Sequence, residues 1–480
     1  MMLSAKLIDR WAKEDSLFIG IGGFFRRGNI AQFSPITVPY EVGKGHWSIL
    51  GATRSGKTVL LRLLLRQIIK KGYGLLLIDM KPDVDLFRIA FDTTLSCGRQ
   101  EDFIFFSPFF SSLRSTISAG EFPATSSSTN PLIFGSQSEI VSRILNAFKL
   151  SKGGGEQFWE DVKEDIVDAL VGSLMGLGKR FNFRDMYIAL TKDSAREWVI
   201  QNTKNEESRE RLKALHDMLI QSPQKALYLI RGTQVAIGRF AFGDHAPFLN
   251  SYRPTFYLAD AVREGRIVYV ALSYQKSAVL SSAVAKMLIS ELNSVIGDVL
   301  LREGKLEKKF FVVIDEFANC VFPGIEDLFN KSAGAGLTLI VAHQSFSDVV
   351  HRVGESLLKI YLDNTHVKIF LLQTGDDAGK FVQDISPLVW GEDRRMWEFS
   401  ITNLLIPFEL SRAESLVPEI RKEYLTGLRP LNFYAKIGDR WFRGIVPVLR
   451  AKESKRELTL FYDPPDITEN GLNLMEAFGA

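Results

Sequence analysis

Apolar residues along the chain fall into short uninterrupted runs, and longer stretches with helical periodicity stand between them. "HWSIL" ends at residue 50, and "GLLLIDM", "FFVVIDEF" and "LTLIVAHQ" follow further along. Continuous apolar runs of this length are typical of strands that are buried on both faces of a sheet. "VLLRLLLRQIIKK" carries a strong apolar face and ends before a glycine, as an amphipathic helix does. The pattern therefore predicts an α/β fold with a mostly parallel sheet.

The pattern changes near residue 150. A glycine run there is followed by helical periodicity that continues to about residue 245, and strand signals return only with "RIVYVALS". We therefore predict a nucleotide-binding motor domain formed by 1–148 and 248–450, with an inserted all-α domain at 149–247. The last residues, 451–480, are polar, contain a Pro-Pro turn and are expected to form a C-terminal tail.

Composition narrows the class of protein only slightly. The 480 residues are 46% apolar, which is enough for a large core, and the formal net charge of +3 argues neither for nor against nucleic acid. Two isolated cysteines, Cys97 and Cys320, exclude a disulfide framework and favour reduced thiols. We expect no transmembrane segment, because no stretch of the sequence reaches the roughly 18 apolar residues that a membrane helix needs.

Residues 51–58, "GATRSGKT", match the phosphate-binding pattern G-x-x-x-x-G-K-[ST], with a predicted strand before them and a helix after them. Glycines in such a loop let backbone N–H groups turn toward phosphate oxygens, and the helix N-terminus adds partial positive charge. Lys57 is expected to contact the β- and γ-phosphates of ATP, and Thr58 to give its hydroxyl to Mg²⁺. The predicted nucleotide-binding residues are Gly51, Ala52, Thr53, Arg54, Ser55, Gly56, Lys57 and Thr58.

Two later strands end in an aspartate and compete for the metal-binding role. Asp315 is followed by Glu316, so this pair offers both a carboxylate that holds Mg²⁺ through water and a base that activates the attacking water. Asp79 is followed by Met80 and offers no such base. We therefore assign Asp315 to the metal and Glu316 to catalysis, and we expect Asp79 to cap the turn that follows it.

The run "LTLIVAHQ" ends in a third candidate, Gln344. In hydrolases that carry an additional strand between the phosphate loop and the metal strand, a polar residue at this strand end senses the γ-phosphate. Gln344 is predicted to have that role, with a plain strand-end polar residue as the alternative. His343 is interpreted as structural, because no partner with metal-ligand spacing accompanies it.

These motifs together resemble the coupling proteins of type IV secretion and bacterial conjugation, which are TraG/TraD-like ATPases of the FtsK–HerA superfamily. The order of the segments is more specific than the phosphate loop alone, because "VIDEF" is followed after a helix by a strand that ends in "AHQS". Besides "GATRSGKT", the segments that carry the resemblance are "IDMKPD" (78–83), "NPL" (130–132), "QFWEDVKEDIVDALVGSL" (157–174), "YLADAVREGRIVYVALS" (257–273), 312–345 and "NTHVKIFLLQTGDDAGKFV" (364–382).

The resemblance implies a RecA-like P-loop NTPase with an inserted all-α domain, which acts as a homo-hexamer at the cytoplasmic face of the bacterial inner membrane. It implies ATP and Mg²⁺ as cofactors, and single-stranded DNA, relaxase or relaxosome, and type IV secretion inner-membrane components as partners. The expected function is to recruit conjugative DNA and pump it to a secretion channel. The alternatives are a related motor for protein secretion or pilus assembly, and an ATP-regulated platform that recruits the relaxosome or effectors.

The sequence departs from the family pattern at three places. The N-terminal membrane helices of most members are not present, so they were either removed or are naturally missing. Met80 and Pro82 replace the family's proline and glycine in the 79–83 segment. The arginine that the family places before the glutamine strand is also missing; Lys331 is the nearest cation, and Arg239 or Arg394 are the other candidates for a trans-acting role.

Two further groups of residues leave alternatives open. Lys81 and Asp83 could form a cross-subunit ion pair or a phosphate-side contact, or they could lie in a solvated turn. Phe158 and Trp159 could stack on bases, although core packing at helical spacing is the preferred interpretation. The sequence therefore shows no DNA-binding motif of its own, and DNA handling follows from the resemblance alone.

Overall fold

The computed structural model describes residues 2–13, 15–26, 29–30, 33–43, 45–109, 126–148, 157–392, 414–449 and 471–479. The strands in this part of the chain are β1 (Met2–Leu3), β2 (Ser16–Arg26), β3 (Asn29–Ile30), β4 (Ser34–Pro39), β5 (His46–Leu50), β6 (Gly74–Asp79), β7 (Phe103–Phe106), β8 (Ile267–Ala271), β9 (Phe310–Asp315), β10 (Leu337–His343), β11 (Thr365–Phe370), β12 (Leu388–Glu392), β13 (Glu414–Pro418), β14 (Asn432–Ile437), β15 (Arg440–Ile445) and β16 (Val448–Leu449).

One large mixed sheet organises the fold. Its central strands run parallel in the order β11-β5-β10-β9-β6-β8-β7. Antiparallel strands β14, β15 and β2, with β3 and β4 beside β2, extend the sheet beyond β11. The predicted α/β class with a mostly parallel sheet is confirmed, and β10 is the additional strand between β5 and β9.

Helices cover both faces of this sheet and form a separate group between residues 157 and 249. The helices are α1 (Ala5–Trp11), α2 (Tyr40–Gly43), α3 (Lys57–Lys70), α4 (Val84–Ser96), α5 (Gln137–Phe148), α6 (Gln157–Met175), α7 (Phe183–Thr191), α8 (Asp193–Asn202), α9 (Glu206–Gln221), α10 (Pro223–Ala241), α11 (Ala246–Leu249), α12 (Leu258–Glu264), α13 (Ala278–Arg302), α14 (Glu326–Lys331), α15 (Phe346–Val353), α16 (Glu355–Asp363), α17 (Asp376–Ile385), α18 (Lys422–Thr426) and α19 (Leu474–Phe478).

The continuous apolar runs of the sequence arise because the central strands are covered on both faces. In β6, Leu75 and Leu77 belong to the apolar cluster that includes the helix after the phosphate loop. Leu76 and Ile78, which point to the opposite face, belong to the second cluster. Every residue of β6 is consequently buried, and a polar side chain is found only at its carboxyl end.

Helices α6 to α11 follow one another between residues 157 and 249, and they make up the part of the chain that we call the helical unit. Part of the predicted tail packs against it. The Leu474 backbone N–H donates to Asp185 Oδ1 at 2.8 Å, and the Asn473 N–H donates to the Tyr252 hydroxyl at 2.9 Å. The C-terminal helix α19 is thereby held on α7, whereas 451–470 lie outside the described residues.

Helix α13 is the one candidate, within the described residues, that is long and apolar enough to cross a membrane. The relevant window is 67% buried inside the fold. Helix α13 packs against α5 and α12 and belongs to the apolar core on the face of the sheet opposite α3. Helix α13 is therefore buried as the core helix of a folded domain is.

Candidate nucleotide-binding site

The loop at 51–56 connects the carboxyl end of β5 to the first turn of α3. Gly56 has φ +113°, in the left-handed region that favours glycine, and it starts the helix. At Gly51 a Cβ atom would lie 2.4 Å from the Ser55 hydroxyl, so a side chain would collide with the loop itself. The geometry of the turn thus requires both glycines of the phosphate-binding pattern.

Lys57 lies inside this loop and is only 7% exposed. Its ammonium group donates to the Gly51 carbonyl at 2.5 Å. Burial lowers the pKa of Lys57, whereas the carboxylates of Glu316 and Asp315 raise it. Ser55 Oγ is buried beside it without a hydrogen-bond partner among the described residues. A buried cation and an orphaned hydroxyl inside a glycine turn are the groups that phosphate oxygens would satisfy.

Glu316 occupies a strained backbone position at the end of β9. Its φ and ψ are +54° and +48°, which non-glycine residues adopt at a cost of about 1–3 kcal/mol and mostly at functional sites. Gln344 Nε2 donates to Glu316 Oε1 at 2.8 Å, and Thr53 Oγ1 donates to Gln344 Oε1 at 3.2 Å. Predicted residues from the loop, β9 and β10 are thus brought into one hydrogen-bonded chain.

Asp315 lies beside this chain and is 8% exposed. Its Oδ1 accepts the Glu316 N–H at 3.0 Å. Burial, followed by the nearby charges of Asp79 and Glu316, raises the pKa of Asp315 to about 7, and Lys57 lowers it. A divalent cation would offset this crowding of carboxylates. Oxygen donors are what Mg²⁺ prefers, so Asp315 and the half-buried Thr58 at the first turn of α3 fit that ion.

Asp79 is held differently, although it pairs in register with Asp315 across β6 and β9. It is fully buried and accepts hydrogen bonds from the Lys81 N–H at 3.0 Å, the Asp83 N–H at 2.9 Å and the Tyr269 hydroxyl at 2.6 Å. Burial raises the pKa of Asp79 to about 6. The Asp79 carboxylate therefore caps the turn that follows β6. Asp79 also lies three strands away from β5, the strand that leads into the phosphate loop.

Replacing Asp79 with alanine is expected to lower the free energy of unfolding by about 1–3 kcal/mol, because buried donors lose their acceptor. The control is Asp85→Ala, which removes an exposed partner of Arg62 from the same segment and is expected to cost about 0–1 kcal/mol. Chemical denaturation of both variants measures the difference. The Mg²⁺ concentration for half-maximal ATPase activity should not change in Asp79→Ala, and a tenfold increase would instead make Asp79 a metal-binding residue.

The turn after β6 makes its ionic contacts within the chain. Asp83 caps α4 by accepting the Leu86 N–H at 2.7 Å and pairs with Arg62 at 2.8 Å. Lys81 is exposed, and its charge lowers the pKa of Lys57. Asp83 therefore has an intrachain partner, and the Lys81 charge is near enough to Lys57 to act on it.

Two contacts around the loop were not foreseen from the sequence. Leu431 has φ +71°, and its N–H donates to the Ser55 carbonyl at 2.8 Å, so the segment before β14 braces the loop. His343 is fully buried, with Nδ1 3.0 Å from the Ser345 carbonyl and Nε2 3.0 Å from the Tyr361 hydroxyl. Burial lowers the pKa of His343 to about 4, in keeping with a neutral structural residue.

The other cations considered from the sequence lie away from this cluster or outside the described residues. Lys331 is exposed and pairs with Asp327 at 3.3 Å, one helical turn away. Arg239 is exposed on α10 of the helical unit. Arg394 lies outside the described residues, as do the side chains of Phe158 and Trp159 on α6.

Comparisons with known proteins show which proteins this chain resembles. A family model described as "TraM recognition site of TraD and TraG" matches residues 309–396, which include Asp315, Glu316 and Gln344. No curated protein matches the chain.

Several solved structures share the fold. The plasmid coupling protein TrwB in complex with an ATP analogue is 14% identical, with a TM-score of 0.63, and the alignment covers 95% of this chain and 96% of that one. An N-terminally truncated, unbound TrwB is 15% identical over 96% of this chain and 95% of that one, with a TM-score of 0.60.

VirB4 of Thermoanaerobacter pseudethanolicus is 16% identical over 90% of this chain and 96% of that one, with a TM-score of 0.50. At these identities the likeness shows the fold. It confirms the RecA-like architecture, and together with the family model it confirms the resemblance to type IV secretion and conjugative coupling proteins.

Proposed function

We propose that this chain is a motor ATPase of the type IV secretion and conjugative coupling type. The observation that carries the proposal is the hydrogen-bonded chain from Thr53 through Gln344 to Glu316, beside the buried Lys57. These contacts support the proposal because they link the predicted phosphate loop, the predicted base and the strand-end amide by hydrogen bonds. Lys57, Thr58, Asp315 and Glu316 are all present among the described residues, which favours an active enzyme over a platform that only binds nucleotide.

In the proposed reaction, Lys57 leaves the Gly51 carbonyl and contacts the β- and γ-phosphates of ATP. Glu316 orients a water molecule for attack on the γ-phosphorus and accepts its proton, while the bond to the β-phosphate oxygen breaks to give ADP and phosphate. Gln344 is positioned between the loop and the base, so it can transmit the presence of the γ-phosphate to Glu316. Mg²⁺, held by Thr58 and through water by Asp315, would neutralise charge on the phosphates.

We propose that the substrate is single-stranded DNA linked to relaxase, which a homo-hexamer recruits and pumps to a secretion channel at the cytoplasmic face of the inner membrane. The support is the resemblance to coupling proteins. TrwB is described as a plasmid and bacterial conjugative coupling protein, and it matches nearly the full length of this chain. The family model over 309–396, named for TraM recognition in TraD and TraG, supports a relaxosome partner at the motor domain.

Single-stranded DNA is expected to raise the ATPase rate severalfold, because a translocase completes its cycle only when its substrate is engaged. The measurement is steady-state ATP hydrolysis with and without a 30-nucleotide oligo-dT strand, with light scattering on the same samples to detect a hexamer. An ATPase rate that is high without DNA and does not respond to it would favour a motor for protein secretion or pilus assembly. Ring assembly with nucleotide but without turnover would favour the recruitment platform.

A further inference from the structure

One face of α10 in the helical unit is exposed and carries large side chains in a helical row. Leu227, Tyr228 and Val235 are 52%, 68% and 51% exposed. Arg231 and Arg239 are exposed on the same face, at spacings of three, four and eight residues that keep these side chains together. Exposed apolar rows of this kind mark interaction surfaces more often than plain solvated faces do.

The row borders a groove whose floor comes from α7 and α10. Gln234 Nε2 donates to the Tyr187 hydroxyl at 3.3 Å, which fixes both polar groups at the floor. Gly238 allows this approach, because a Cβ atom there would lie 3.2 Å from the Tyr187 ring. Phe242 closes one end and packs edge-to-face with Tyr187 at 4.8 Å between ring centroids. The groove is therefore built by close packing between two helices.

The charged and aromatic residues of this groove follow a regular order. Tyr228 lies three positions before Arg231 on the helix, so these two side chains are neighbours. Arg239 near the end of α10 and Phe242 just after it both line the same groove. The two arginines are separated by about 12 Å along the helix. None of the described side chains that line the groove is acidic. The surface is therefore suited to a partner with repeated negative charge and planar apolar groups.

We propose that this groove is a contact site for single-stranded DNA, with phosphates on Arg231 and Arg239 and bases against the Tyr228 and Phe242 rings. The inference rests on the proposed function, and it assigns the substrate a position on the chain. Non-specific single-strand binding combines a cationic track with aromatic stacking, and every base has a face that can stack. Gln234 adds an amide that can hydrogen-bond base edges.

An acidic amphipathic protein segment is the other kind of ligand that could bind this positively charged groove. Such a segment would use the apolar row of Leu227 and Val235 and would need carboxylates opposite both arginines. The combination of arginines and exposed rings in one groove favours the nucleic acid, because a polynucleotide presents a phosphate and a base at every step. The charge complementarity is shared by both occupants, so the test includes both.

The test measures binding of fluorescein-labelled oligo-dT of 30 nucleotides to the full chain by fluorescence anisotropy, without nucleotide, at 50 and 200 mM salt. The double variant Arg231→Glu with Arg239→Glu is expected to weaken binding at least tenfold and to reduce the salt dependence, because phosphate contacts are lost. Tyr228→Ala is expected to weaken binding fivefold or more with the salt dependence unchanged, because stacking does not release counterions.

The matched control reverses the same number of charges elsewhere on the helical unit, with Lys204→Glu and Lys213→Glu. Both lysines are exposed and neither lines the groove. The control should bind oligo-dT as the parent does, and both the control and Tyr228→Ala should keep the parent ATPase rate measured without DNA. A circular dichroism melt establishes that each variant is folded.

The possible outcomes separate this inference from the proposed function. If the parent binds oligo-dT and the groove variants bind it equally well, the groove assignment is wrong while the DNA substrate stands. If the parent does not bind oligo-dT at all, the DNA substrate itself is refuted. If the groove variants lose binding to a synthetic acidic helical peptide but not to oligo-dT, the groove is a protein-docking site and the proposal is overturned.

Discussion

Glu316→Gln is expected to reduce the ATPase rate by about 100- to 10,000-fold, the usual contribution of a general base. Glutamine has nearly the same shape as glutamate, so its side chain can still lie beside Gln344, and nucleotide binding should be retained. The variant loses only the ability to accept a proton from the attacking water. We therefore expect the dissociation constant for a fluorescent ATP analogue to stay within about threefold of the parent, because the proposed contact of Glu316 is with the attacking water and not with the nucleotide.

The backbone of Glu316 strengthens this expectation. A residue held at φ +54° keeps that conformation only if the surrounding structure imposes it, and here β9 on one side and the buried Phe317 on the other do so. The side chain is therefore positioned before nucleotide binds. Because the substitution changes a proton acceptor and not a shape, the catalytic loss should appear in kcat with little change in KM.

The matched control is Glu307→Gln, which makes the same chemical change at an exposed residue just before β9. It should hydrolyse ATP at the parent rate. Single-turnover hydrolysis and analogue binding are measured for both variants at the same protein concentration. Parent-like hydrolysis by Glu316→Gln would falsify the assignment of Glu316 as the base, and loss of analogue binding would assign it to the binding step.

The proximity of the candidate site residues could be predicted from the sequence because they belong to local patterns that a parallel sheet brings together. Carboxyl ends of neighbouring parallel strands meet at one edge, so a glycine loop after β5, an acidic pair after β9 and an amide after β10 converge without any knowledge of packing. In the order β5-β10-β9-β6, Asp315 lies one strand nearer to the phosphate loop than Asp79 does, and the assignment of the metal to Asp315 stays a prediction.

Features that depend on packing between distant segments could not be predicted. Leu431 braces the phosphate loop from more than 370 residues away, and a leucine with positive φ has no sequence signature. The groove on α10 was missed for a similar reason. Periodicity shows which residues of a helix share a face, but only the packed structure shows that, among the described residues, the face with Tyr228, Arg231 and Arg239 is exposed.

The second large effect is a loss of stability expected on replacing Arg143, a residue of α5 that donates a hydrogen bond to Ser294 on α13. Arg143 is fully buried and donates to the Pro131 carbonyl at 2.5 Å, the Phe134 carbonyl at 2.8 Å and Ser294 Oγ at 3.3 Å. Arg143→Met preserves much of the volume but removes these bonds and the charge. We expect the free energy of unfolding to fall by about 3–5 kcal/mol, the usual cost of leaving a buried charge without its partner.

The charge left behind belongs to Glu291 on α13. Glu291 is 3% exposed, and burial raises its pKa, whereas the Arg143 charge lowers it. Without Arg143 the folded-state pKa rises further above the unfolded value, so the folded chain binds more protons and its stability falls as pH rises through that window. The destabilisation by Arg143→Met should therefore be smaller at pH 5 than at pH 8, measured by urea denaturation of parent and variant at both pH values.

A double-mutant cycle separates this charge effect from lost packing. Glu291→Gln alone leaves Arg143 with its carbonyl and hydroxyl acceptors, so its cost should be well below that of Arg143→Met. Adding Glu291→Gln to Arg143→Met removes the unpaired carboxylate, and the double variant should be more stable than Arg143→Met at pH 8. If the double variant is instead less stable by the sum of both single effects at both pH values, the two residues do not interact. The loss at Arg143 would then come from its hydrogen bonds to the 131–134 turn alone.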